Sequence, residues 1–126
     1  MSTIKANTLL HSDGTTTTQP SIPALDQRMA KAWVNFDGTG TVAISSAYNV
    51  SSITDVQSGR YTVNFTNNLA NTNFAVAGFS GRNSIPIVAG AGNARSVSSL
   101  DVSTGSYVNA FAYIDTDSIA VTIFGN

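Results

Sequence analysis

The sequence predicts an all-β fold: an antiparallel, jelly-roll-like β-sandwich preceded by an extended N-terminal arm and a short helix. Three observations carry this. Ser, Thr and Asn supply about a third of the 126 residues and Glu is absent, which removes good helix formers and favours residues that compete locally with helices. Runs rich in β-branched and aromatic residues recur at roughly ten-residue spacing between Gly, Asn, Asp and Ser clusters, the pattern of a sandwich. Along residues 61–66, Tyr61, Val63 and Phe65 alternate with Thr62, Asn64 and Thr66, as a strand with one wet face requires.

Residues 1–31 read as an anchoring and oligomerisation arm, and residues 32–126 as the sandwich. In the arm, Ile4, Ala6 and Leu10 are spaced in twos, His11-Ser12-Asp13-Gly14 is a turn, and Pro20 and Pro23 force extended backbone before them and remove donors. Ile4, Leu9, Leu10 and Ile22 lie on a segment too short and too Pro-broken to form a core of its own. Few charges and several aliphatic groups are not a disordered-tail composition, so docking on a neighbouring chain is expected. Residues 23–31 hold the one candidate helix, of one or two turns at most: Pro23 suits a first helical position, Leu25 and Met29 share a face, and Arg28 and Lys31 lie near the C-terminal end.

From Trp33 onward, strands are expected over residues 32–36, 41–45, 50–55, 60–66, 74–79, 85–89, 96–102, 107–114 and 118–124. Asp37-Gly38-Thr39-Gly40 makes a hairpin turn, and Ser58-Gly59, Ser103-Thr104-Gly105 and Asp115-Thr116-Asp117 make others. Pro86 places its strand near an edge. Residues 107–114 break the inside-outside rule, since Val108, Ala110, Ala112 and Ile114 alternate with Tyr107, Asn109, Phe111 and Tyr113. Coverage of both faces by a second subunit accounts for this and makes Tyr107, Phe111 and Tyr113 a candidate subunit interface; aromatic residues exposed for ligand stacking are the alternative.

The formal net charge of -1 comes from scattered residues, with no basic cluster for phosphate backbones or anionic lipid, so nucleic acid is not an expected partner. There is no cysteine, hence neither disulfide nor thiolate metal site. No apolar run is long enough to span a bilayer and the N-terminus has no signal-peptide core, so neither membrane insertion nor Sec export is expected. His11 has only Asp13 as a close acidic partner. Asp residues sit at turns, where turn chemistry accounts for them better than calcium does. A glycosidase needs two carboxylates flanking a cleft, which this short chain does not offer. The sequons at Asn49 and Asn64 arise readily by chance in such a composition. No catalytic residue, metal or cofactor is expected.

The segments MSTIKANTLL, AKAWVNFDGTGTVAI, YNVSSITD and YTVNFTN resemble tail-fibre and tail proteins of tailed bacteriophages, especially marine and cyanobacterial ones, over most of residues 1–79. The resemblance implies a non-enzymatic virion protein, a homotrimer, with an anchoring N-terminus and a β-rich distal domain. A fibre of that kind contacts host-surface glycans through loops at its far end, which makes Asn71, Asn73, Arg82, Asn83 and Asn93 candidate receptor-facing residues. Ile4, Leu9, Leu10, Ile22, Leu25 and Met29 are the candidate anchor to other virion proteins. A capsid decoration protein or head fibre needs the same layout, and a free lectin-like module is the alternative of another class.

Overall fold

A computed structural model describes residues 1–8, 10–14, 22–26, 28–81, 85–88, 94–107 and 110–125, with the backbone alone at 24, 85–88 and 107. The protein is all-β, built from two antiparallel sheets around one core. A single helical turn, α1 (Pro23–Asp26), precedes β1 (Ala30–Asp37), β2 (Ala43–Tyr48), β3 (Val50–Gln57), β4 (Arg60–Phe65), β5 (Ala75–Ser80), β6 (Ile85–Val88), β7 (Ser99–Tyr107), β8 (Phe111–Tyr113) and β9 (Ile119–Phe124). One sheet has the order β2-β1-β9-β5 and the other β3-β4-β7-β6, with β8 added to the end of β7.

Alternation decides which side chains meet. Ala32, Val34 and Phe36 of β1 and Ile119, Val121 and Ile123 of β9 are buried from one sheet, and Tyr61, Val63 and Phe65 of β4 with Leu100 and Val102 of β7 from the other. Leu69 and Phe74 close the core from the loop after β4. Full burial of such an aliphatic or aromatic side chain stabilises by about 1.5–3 kcal/mol, so these four central strands dominate the packing energy. Phe36 and Tyr61 meet edge to face across the sheets at 5.3 Å, and Phe65 and Phe74 at 6.3 Å.

Four expectations are corrected. The helix does not reach Lys31: Ala30 and Lys31 belong to β1, where Ala30 pairs with Phe124. Ser103-Thr104-Gly105 is not a turn but the middle of β7, paired with β4 and β6, with Ser103 and Thr104 buried. Residues 107–114 are not one strand, because β8 turns back antiparallel on β7, pairing Tyr107 with Phe111 and Gly105 with Tyr113. The first and last strands pair, but the hairpins β1–β2, β3–β4 and β6–β7 keep consecutive strands within one sheet, so the jelly-roll order does not carry over.

Asn49 is the only residue between β2 and β3 and carries the chain from one sheet to the other in a left-handed conformation, φ 54°. Its Nδ2 donates to Lys31 O at 3.0 Å and Asn67 O at 3.1 Å, while its Oδ1 accepts from Asn67 N at 2.7 Å. Asn tolerates this backbone better than other side-chain-bearing residues, and here the amide also ties three segments together.

Candidate functional site

Strand directions divide the body into two ends. At the end where the chain enters from the arm lie Ala30 and Lys31, the Asn49 corner, residues 66–74, Arg95 and Phe124. The opposite, distal end holds residues 38–42, Ser58 and Gly59, Gly81 and residues 114–118. The 114–118 loop knits the distal end together. Thr116 O accepts from Gly38 N at 2.9 Å, Thr116 Oγ1 donates to Gly81 O at 2.9 Å, and Ser118 O accepts from Gly81 N at 2.7 Å.

This placement alters the candidate receptor loops. Asn71 and Asn73 lie at the arm end, and Asn71 Oδ1 caps its own turn by accepting from Asn73 N at 2.8 Å. They therefore do not face away from the arm. Arg82, Asn83 and Asn93 lie outside the described residues. The distal group that the sequence reading passed over is Arg60: its guanidinium lies 5.9 Å from the centroid of the ring of Tyr113, a candidate interface residue along with Phe111, and that ring meets Phe111 edge to face at 5.0 Å. The period-2 pattern places Arg60 on the outer face beside Thr62 and Asn64, but its approach to Tyr113 depends on the β7–β8 hairpin, which the sequence pattern concealed.

Tyr113 is exposed and Phe111 half-buried. A Cβ on Gly105 would fall 2.5 Å from Phe111 Cε2, so the chain's own β7 covers part of the ring for which a second subunit was invoked. The side chain of Tyr107 is outside the described set.

The outer face of the second sheet is a polar ladder. Thr62 Oγ1 donates to Asp101 Oδ1 at 2.7 Å, and Asn64 Nδ2 donates to Ser52 Oγ at 3.1 Å and Thr54 Oγ1 at 3.0 Å. Hydroxyls, an amide and a carboxylate beside an aromatic ring and a guanidinium are groups suited to hydrated, hydroxyl-rich surfaces.

The carboxylates are engaged in turns. Asp37 Oδ1 accepts from Thr39 Oγ1 at 2.6 Å and Thr39 N at 2.8 Å, and these bonds hold its carboxyl below the usual carboxylate range. Asp115 Oδ1 accepts from Gly59 N at 2.6 Å and from the Tyr61 hydroxyl at 2.8 Å. Burial, then the hydrogen bond and charge of Asp115, then the charge of Asp55, push the Tyr61 phenol well above the ordinary tyrosine value. A neutral, buried phenol with its proton on Asp115 locks a corner of the fold. His11 Nδ1 lies 3.2 Å from Asp13 within its own turn. Among the described residues no group of three or more His, Cys, Asp or Glu converges to hold a metal ion, and no helix is long and apolar enough to cross a membrane.

The arm presents the other candidate surface. Ile4 is 92% exposed, and Leu10, Leu25 and Met29 are exposed as well, while Ile22 is half-buried and Leu9 is outside the described residues. Near the body the chain is tied by Leu25 N and Asp26 N donating to Ile22 O, by Met29 N donating to Leu25 O, and by a 3.7 Å contact of Lys31 Nζ with Asp26. No hydrogen bond joins residues 2–8 to the other described residues.

Taken together, the strands define an all-β fold of two antiparallel sheets packed on one core. No family model, no curated protein and no solved structure matches the chain.

Proposed function

We propose that the protein is a structural component of a bacteriophage particle, a tail fibre or tail-tip protein. It attaches through its N-terminal arm, assembles as a trimer and turns its distal end towards the host surface. The observation that carries this reading is the contrast within one chain: a body with its own buried core drawn from both sheets, and a preceding segment in which, among the described residues, Ile4 and Leu10 stand exposed. Exposed aliphatic groups on an extended segment gain free energy only when another surface shelters them. The weakly charged body, with its outer ladder of hydroxyls and amides, fits a part that must hydrate well and bind little indiscriminately. The particle itself rests on the resemblance to phage tail proteins read in the sequence over most of residues 1–79.

On this reading the protein is not an enzyme. The contact groups at the far end are Arg60 and Tyr113, with Thr62 and Asp101 further along the same outer face, and host glycan is the partner they suit. The test is removal of residues 2–22, which contribute nothing described to the core. The truncated chain is expected to keep its β-sheet circular dichroism and cooperative melting but to be missing from purified particles. Normal occupancy of the truncated chain in particles overturns the anchor. Labelling on capsids instead of tails moves the protein to the head.

A further inference from the structure

We infer that the arm is a donor strand: residues 2–10 of one copy add to the free edge of β2 in a second copy, extending its four-stranded sheet. This deepens the proposed function, on whose anchoring arm it rests, by naming what the arm meets first.

The acceptor is visible in the strand order. β2 and β3 end their sheets on the same side of the molecule, diverging from the Asn49 corner. Between them runs a seam where the core is incompletely closed: Val42, Ala47, Val50 and Ile53 pack against it only in part, and Ile44 is 39% exposed. An edge strand offers a row of unpaired N–H and C=O groups, which proteins protect with charges, proline, shortness or cover. The other edges carry such protection. β3 holds Asp55 and two irregularities of register, β6 holds Pro86, β8 is three residues long, and β5 packs beside β6. β2 reads AISSAY, with neither charge nor proline, and its one irregularity is the bulge opposite Asn35 and Phe36.

The donor is equally visible. By sequence alternation Ser2, Ile4, Ala6, Thr8 and Leu10 fall on one side of an extended chain, and Thr3, Lys5, Asn7 and Leu9 on the other. Laid along β2, the first set covers Ile44 and the seam, and Lys5, the only charged side chain of residues 2–10, stays in water. Neither partner buries a charge, and alternate side chains fill the seam as in other strand additions. The occupant is a second copy because residues 2–8 make no hydrogen bond to the other described residues of their own chain and Ile4 is 92% exposed there, while every copy carries both unmet features in equal number. With the His11–Gly14 turn and α1 kept, residues 11–29 can also span on the order of 40 Å, more than twice the roughly 14 Å radius of gyration of a chain this size.

The absence of cysteine makes the test direct. Full-length chains carrying Ala6→Cys and Ile44→Cys are mixed and oxidised, and a doubly substituted chain is treated alike. Disulfide-linked pairs of the two single variants, and linked multimers of the double variant, are expected. An internally closed 13.1 kDa product from the double variant overturns the proposal, because the arm then lies on its own edge. A readout independent of register is hydrogen exchange in full-length protein carrying Ile4→Asp and Leu10→Asp. Amides of β2 are expected to exchange at least about tenfold faster than in the unsubstituted protein, with β9 unchanged. Equal protection of β2 in both proteins overturns strand addition. The outcomes separate from those of the particle experiment: cross-linking without particle incorporation removes the phage assignment and keeps the donor strand, and incorporation without cross-linking or β2 protection does the reverse.

Discussion

Replacing Asn49 tests whether one corner residue sets the relation between the two sheets. Asn49→Ala removes two donations from Nδ2 and one acceptance by Oδ1. Net hydrogen bonds contribute about 0.5–1.5 kcal/mol each, and two of these three are exposed, so their joint loss costs about 2 kcal/mol. Alanine must also hold φ near 54°, which adds roughly 1 kcal/mol. Asn49→Gly loses the same bonds without the backbone cost. Urea denaturation followed by fluorescence of Trp33, the only tryptophan, should therefore order the three proteins as wild type, glycine variant, alanine variant. The alanine variant should lose about 3 kcal/mol from a total on the order of 5–15 kcal/mol. If it lies within about 0.5 kcal/mol of wild type, the range of an ordinary surface substitution, the corner argument fails. If glycine is no better than alanine, the backbone part of it fails.

Two further outcomes follow from the distal end. Tyr61→Phe deprives Asp115 of the phenol proton and should cost about 1–2 kcal/mol in chemical denaturation at neutral pH. Because the folded phenol is raised above its ordinary value of 10.0, its contribution is complete below that pH and is lost as pH climbs towards the folded value. Wild-type stability should fall more steeply than that of the phenylalanine variant above pH 10.0, and parallel slopes would refute the assignment. Gly105→Ala would set a methyl 2.5 Å from Phe111 Cε2 and 2.8 Å from Ala112 O, and overpacking of this kind costs about 1–3 kcal/mol. A melting temperature equal to wild type would show that β8 moves aside freely.

The strands that form the core were legible because their alternation is unbroken: 32, 34 and 36, then 61, 63 and 65, then 119, 121 and 123 all face inward. β7 was not legible. Ser103, Thr104 and Gly105 carry turn chemistry locally, yet β4 and β6 take up their backbone groups, Thr104 Oγ1 donates to Ile114 O at 2.6 Å, and Gly105 makes room for Phe111. The partners on β4 and β6 lie beyond any local window, and Phe111 and Ile114, though nearer in sequence, are brought back only by the β7–β8 pairing. The same holds for Ala30 and Lys31, which β9 draws out of a helical pattern. At the candidate sites, the uncovered aliphatic groups of the arm could be read from spacing. Arg60 beside Tyr113 could not, since a hairpin unseen in the pattern brings them together.

The pairing of Ala30 with Phe124 at one end of the body has a mechanical consequence. Tension drawn between those two residues would peel β1 from β9 one bond after another, the weak way to part an antiparallel pair. Tension drawn from Ala30 to the Thr116 tip would instead run lengthwise along the strands and load many crosswise bonds at once. A body held by its leading segment and pulled by whatever grips its tip thus resists along its strong axis.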